Sequence, residues 1–151
     1  MSVDYIFGIN IAQRGTANLT SVDIIQCYLE AGWSLYSEKN QIIYTEAGDN
    51  DDFNLIANSI SEGEYFDIVK QKEKNKEIIA FSLFCLEENC RYRIDIEITP
   101  EFEIIISPDD GTKRMLKSDL NILDVNWYLC RVLLPLTNKD ILVESYSFTQ
   151  T

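Results

Sequence analysis

Histidine is absent from all 151 residues, and with it go the usual general base, the usual metal ligand and the middle member of the serine and cysteine triads. Most hydrolase and protease mechanisms are thereby excluded. The phosphate cradles are missing too, since no G-x-x-x-x-G-K-[ST] loop occurs and no G-x-G-x-x-G follows a strand. The longest apolar runs, residues 78–86 and 132–136, fall far short of the roughly 20 residues a membrane-spanning helix needs. The N-terminal Met1-Ser2-Val3-Asp4-Tyr5 carries an acid where a secretory signal has Lys or Arg, so the expected location is cytoplasmic. Four scattered cysteines, Cys27, Cys85, Cys90 and Cys130, are expected to be reduced and structural in that compartment, with Cys27 and Cys130 inside apolar helical patterns. Only Cys85 and Cys90 lie close together, and without a second pair or a histidine they make a poor zinc set. No metal and no other cofactor is expected.

Bases are scarce. Thirteen Lys and Arg stand against 25 Asp and Glu, a formal charge of −12 and a pI near 4.3. Such a field repels phosphates and anionic headgroups, which disfavours nucleic acid and membrane as partners, and it speeds the approach of a basic protein. Acidity of this size also serves solubility alone. Hydrophobic residues at 46% and charged residues at 25% describe a globular chain of one domain, residues 1–151.

The periodicities predict an α+β fold, an antiparallel β-meander with about three helices packed on it. Residues 3–11 alternate as a strand. Thr20 or Ser21 caps a helix with Val22, Ile25 and Leu29 on one stripe, ended by Gly32. Residues 33–37 and 41–45 flank hairpin chemistry at Glu38-Lys39-Asn40. The acidic loop 46–52 is placed to cap a helix carrying Phe53, Ile56, Ala57 and Ile60, stopped by Gly63. Tyr65-Phe66-Asp67-Ile68-Val69 fits a strand or a short helix and is read as a strand, with 70–77 as a solvated turn. Residues 78–115 read as three or four consecutive strands: 78–85 apolar on both faces, then 91–98 with Tyr92, Ile94, Ile96 and Ile98 facing one way and Arg91, Arg93, Asp95 and Glu97 the other. Ser118 caps a last helix from 119 to about 134, ended by Pro135, with Leu120, Leu123, Trp127, Cys130 and Leu134 inward and Asn121, Asp124, Tyr128 and Arg131 on its polar face. A strand at 141–148 closes the chain.

Acidic residues concentrate in two places. No base occurs between Lys39 and Lys70, where Glu46, Asp49, Asp51 and Asp52 lead the cluster. A second run holds Asp95, Glu97, Glu101, Glu103, Asp109 and Asp110 with no base among them. Asp49-Asn50-Asp51-Asp52 fails the EF-hand pattern, which wants Gly where Asn54 stands and Glu where Ile60 stands. The sequon Asn18-Leu19-Thr20 has no secretory signal to expose it to glycosylation. A three-residue turn, Thr99-Pro100-Glu101, sets Ile98 opposite Phe102 and Ile96 opposite Ile104, which places Glu97 against Glu103 on the wet face. Like charges in that position destabilise the fold, so the pair either serves a cationic partner or is a solvated face kept polar against edge aggregation; the ten acids of the two clusters are the candidate partner-binding residues.

Small size, acidity and the want of catalytic residues resemble the immunity proteins of bacterial polymorphic-toxin and contact-dependent inhibition systems. That resemblance implies a non-enzymatic protein that occludes the active site of a cognate toxin, often a basic nuclease. A structural or adaptor subunit of a larger cytosolic complex, and a small enzyme working with carboxylates alone, are the readings that compete with it.

Overall fold

The computed structural model describes residues 4–12, 18–50, 54–117 and 122–151. In chain order the elements are β1 (Tyr5–Ile11), α1 (Ser21–Glu30), β2 (Ile42–Tyr44), β3 (Ile56–Asn58), α2 (Glu62–Lys74), β4 (Ile79–Glu87) and β5 (Cys90–Ile98). They continue with β6 (Glu103–Pro108), β7 (Met115–Lys117), β8 (Ile122–Leu123), α3 (Val125–Val132), the single turn α4 (Leu134–Thr137) and β9 (Val143–Gln150). Seven strands form one antiparallel sheet in the order β3-β2-β4-β5-β6-β1-β9, and β7 pairs with β8 apart from it. The fold is α+β, as the periodicities predict.

Alternation decides which face the helices cover. Ile79, Phe81 and Leu83 of β4, Ile94, Ile96 and Ile98 of β5, and Ile104 and Ile106 of β6 point to one side and join a single core with Ile24, Ile25 and Tyr28 of α1, Tyr65 and Val69 of α2, and Trp127, Tyr128 and Val132 of α3. Two α1-side donors reach the end of α3, where helix carbonyls lack partners: Tyr28 Oη donates to Val132 O at 2.8 Å and Trp33 Nε1 to Arg131 O at 3.0 Å. On α3, Trp127 is stacked under the Arg131 guanidinium at 4.3 Å, while Glu87 of β4 accepts from Arg131 at 2.7 Å and from Trp127 Nε1 at 3.3 Å. This clasp ties the helix to the β4–β5 hairpin.

Several expectations are corrected. The segment read as a strand at Tyr65 is the middle of α2: Ser61 caps it by accepting from Glu64 N–H, acids fill the first turn and Lys72 and Lys74 the last, which suits the helix dipole. Gly63 therefore sits inside the helix rather than ending one. Ile56 and Ala57 belong to β3, paired with β2, and not to a helix; Phe53 lies outside the described residues. The fourth meander strand leaves the sheet as β7. The helix expected from 119 is α3, capped by Asp124, whose carboxylate accepts from Trp127 N–H, and Pro135 lies in the first turn of α4, beyond the end of α3 at Val132. Its buried stripe is rotated, so that Tyr128 is enclosed while Cys130 and Leu134 are exposed; Ser118, Leu120 and Asn121 lie outside the described residues.

Tyr65 packs against Tyr44, Phe66 and Phe81, and its hydroxyl is buried with no hydrogen-bond partner. Tyr65→Phe is therefore expected to leave stability unchanged or raise it by about 1 kcal/mol, since it removes a desolvated hydroxyl that gains no bond in return. Urea unfolding of the two proteins checks this.

Candidate functional site

The acidic loop after β2 is organised from inside by a lysine. Lys72 of α2, 1% exposed, donates through Nζ to Glu46 O and Asp49 O, both at 2.8 Å, and to Glu77 Oε1 at 3.2 Å. Glu77 also accepts from Gly48 N–H at 2.7 Å, and Asn50 Oδ1 accepts from Ile78 N–H. Burial alone would raise the Glu77 carboxyl, but the Gly48 bond and the Lys72 ammonium outweigh it and hold the group below its ordinary value. The carbonyls of Glu46 and Asp49 thus face inward around Lys72, and the Asp49 carboxylate accepts from Asn54 N–H at 2.8 Å. The loop is built around an internal cation, a role hidden while 70–77 is read as a solvated turn. Asp51 and Asp52 lie outside the described residues.

The second acidic run does not form one patch. In the β5–β6 hairpin Ile98 pairs with Ile104 and Ile96 with Ile106, two residues from the expected register. Phe102 adopts φ +60° and donates to Thr99 O while Thr99 N donates to Glu103 O. The left-handed residue takes up the extra length as a bulge. A shift of two keeps every side chain on its expected face, yet Glu97 now stands opposite Ile105 and not Glu103. The like-charge pair does not exist. Glu101 is at the hairpin tip and Glu103 beside it, at the same end of the sheet as Glu46 and Asp49. Asp109 and Asp110 lie a strand length away, bound to the Thr112 hydroxyl and to Lys113.

What the strands do assemble is an open face, opposite the helices. Across it run Ala80, Glu97, Ile105, Gly8 and Ser147 in one row of paired residues. Beside that row Ser82 and Asp95 are bonded at 2.6 Å, and Asp95 also accepts from Arg93 Nε at 3.0 Å. Among the described residues Glu97 has neither a hydrogen bond nor an ion pair, and burial alone pushes its carboxyl above the ordinary carboxylate value. The hollow it shares with Leu55, Ala80, Ile105 and Ser107 measures about 220 Å³, below the range of small-molecule sites, roughly 300 to 1,000 Å³. It suits one long side chain of a partner.

Toward the β4–β5 hairpin the same face changes sign. Lys39, Arg91 and Arg93, with Glu38 and Asp109 at the rim, line an open groove of about 570 Å³ floored by Ile43, Ala57 and Phe84. Arg91 approaches only the exposed Glu38, at 4.0 Å, and Lys39 has no partner among the described residues. Arg91 and Arg93 were legible as the wet face of a strand, but their meeting with Lys39 depends on Tyr36 bridging to Ile42 and Ser34 to Phe84, which periodicity does not reveal. Among the described residues no three His, Cys, Asp or Glu side chains converge as metal ligands, and no helix is long and apolar enough to cross a membrane. No known family model, curated protein or solved structure matches the chain.

Two variants test this geometry. Lys72→Met is expected to destabilise the protein by about 3 to 5 kcal/mol, because it strands a carboxylate and two carbonyls that shared one cation. Glu77, with its folded pKa below 4.5, contributes stability above that value and loses it as pH falls through the folded pKa, so the deficit should shrink in acid. Glu97 carries the opposite sign. Its folded pKa lies above 4.5, so the native state is penalised as pH rises through that pKa. Glu97→Gln is expected to raise the denaturant midpoint at neutral pH and to leave it unchanged below pH 4.5. Unfolding curves across pH read both effects.

Proposed function

We propose that this chain is a non-enzymatic binding protein that takes a basic protein domain on the open face and acidic end of its sheet, and that the domain is a toxin whose active site it occludes. The observation that carries this reading is Glu97, a desolvated carboxylate without a partner among the described residues, on a sheet face that no described helix covers. Alone, it costs stability. A Lys or Arg from a partner supplies the missing counter-charge and buries Leu55 and Ile105 in the same step, so the loss in the free protein becomes a gain in the complex. Glu101 and Glu103 extend the negative potential that steers such a partner in. Arg91 and Lys39 at the far end of the face give it a second sign, which sets one orientation of docking and repels the reverse. The resemblance to immunity proteins supplies the class of partner.

The test is expression of the protein encoded beside this chain's gene, with and without this chain. Toxicity alone, relieved by co-expression, is the expected outcome. Association with the purified partner should slow as salt is added, since ions screen rim charges over about 8 Å at physiological strength. Glu97→Gln with Glu103→Gln should weaken binding at least about tenfold. A harmless protein that co-purifies stably makes the chain an adaptor subunit instead, and salt-independent kinetics would count against the acidic face.

A further inference from the structure

Strand β9 closes one side of the sheet, and its outer edge pairs with no strand among the described residues. Asp4 and Thr151 exchange both backbone hydrogen bonds, at 3.1 and 3.0 Å, which fixes the phase of the β1–β9 ladder. Alternation then turns the N–H and C=O groups of Ser145, Ser147 and Thr149 toward β1, and those of Tyr146, Phe148 and Gln150 outward. Edges of this kind are normally blunted by brevity, proline, lysine or a bulge. The opposite edge, β3, is three residues long. By contrast β9 runs for eight residues, VESYSFTQ, with Glu144 its only charge. Its one irregularity lies where Asn10 pairs with Ser145 and Ile11 with Val143, so residues 145–150 remain a regular, uncharged edge.

The edge is complementary to itself. In an antiparallel pairing of two copies centred on Ser147, Tyr146 of one exchanges hydrogen bonds with Phe148 of the other, and Ser147 faces Ser147 in a non-hydrogen-bonded position. On the helix side, Tyr146, which is 58% exposed, meets Phe148, already packed on Phe7 at 4.9 Å. On the open face only hydroxyls meet, Ser145 against Thr149. Glu144 falls opposite Gln150, so no like charges confront each other across the seam, a necessary condition in a chain of net charge −12. We infer that this protein forms a two-fold dimer by pairing β9 with β9 of a second copy. The axis stands perpendicular to the joined sheet, so both open faces lie on one side and the dimer presents the acidic face twice.

Sedimentation of the intact chain tests this, from about 1 μM to about 1 mM, the range appropriate to a small interface. A monomer–dimer equilibrium is expected, strengthened by salt because screening relieves the repulsion between two acidic copies. That salt response is opposite in sign to the one expected for a basic partner, so the two readings fail separately. Tyr146→Lys, at a position 58% exposed, should raise the dissociation constant at least about tenfold. Ser147→Cys, with the exposed Cys90 and Cys130 replaced by serine, should yield an inter-chain disulfide on mild oxidation, because a non-hydrogen-bonded pair holds its Cα atoms about 4.5 Å apart. A chain that stays monomeric throughout overturns the inference. So does a dimer indifferent to Tyr146→Lys, or one in which the Ser147→Cys chain fails to cross-link.

Discussion

The strict alternation of isoleucine with charge along β5 is the constraint on which the rest of the molecule depends. Ile94, Ile96 and Ile98 are fully buried, and each transfers on the order of 1.5 to 3 kcal/mol of apolar side chain out of water. Arg91, Arg93, Asp95 and Glu97 are thereby committed to the other face, where no helix can settle without burying them. All helices must therefore pack on one side, and the sheet is left with an open face. Ile104 and Ile106 on β6, Phe81 and Leu83 on β4, and Phe7 and Ile9 on β1 repeat the choice on neighbouring strands, so a slip of one residue in any pairing would expose a whole row.

Strands were accordingly the most legible part of the sequence: β1 and β5 lie where their alternation places them, β4 where its run apolar on both faces places it, and β6 and β9 within two residues of the expected bounds. The helices were harder, for reasons that can be named. In α2 the buried stripe is Tyr65, Val69 and Lys72: two residues that favour strands, followed by a lysine, conceal a helical period whose real signals are the Ser61 cap and the graded charge. In α3 the buried Tyr128 looked polar, and Ser118 offered a cap six residues too early, whereas Asp124 does the capping. The hairpin register was missed because a phenylalanine at φ +60° is uncommon enough that no composition rule anticipates it. At the candidate site, single-strand facts such as the outward Glu97 were readable, but Lys72 inside the acidic loop and Lys39 beside Arg91 are long-range juxtapositions.

Charge in this protein is thus less uniform than its total suggests. Part of the acidity is internal business: Glu77 serves Lys72, Glu87 serves Arg131 and Trp127, and Glu73 accepts from Ser21 N–H at the start of α1. These acids hold elements together and are spoken for. Four of the five arginines, Arg91, Arg93, Arg114 and Arg131, gather toward the β4–β5 hairpin end, while the other end carries Glu46, Glu97, Glu101 and Glu103 with Lys76 in the hollow beside Glu101. A dipolar surface of this kind orients an approaching partner as well as attracting it.

Two carboxylates on the same strand and the same face show why counting acids does not locate a site. Asp95 stands opposite Ser82, whose hydroxyl donates to it at 2.6 Å, and two residues from Arg93, whose Nε donates at 3.0 Å. Glu97 stands opposite Ala80 and Ile105, and its neighbours two residues away on that face are Asp95 and Thr99. The first acid is satisfied by the fold. The second is desolvated by small and apolar neighbours that offer it no hydrogen bond. A half-buried carboxylate with no partner among the described residues lowers the stability of the free protein, and under the proposed function a cationic partner would supply its counter-charge. Glu97, and not the longer acidic runs on either side of it, is therefore the residue on which the proposed partner site rests.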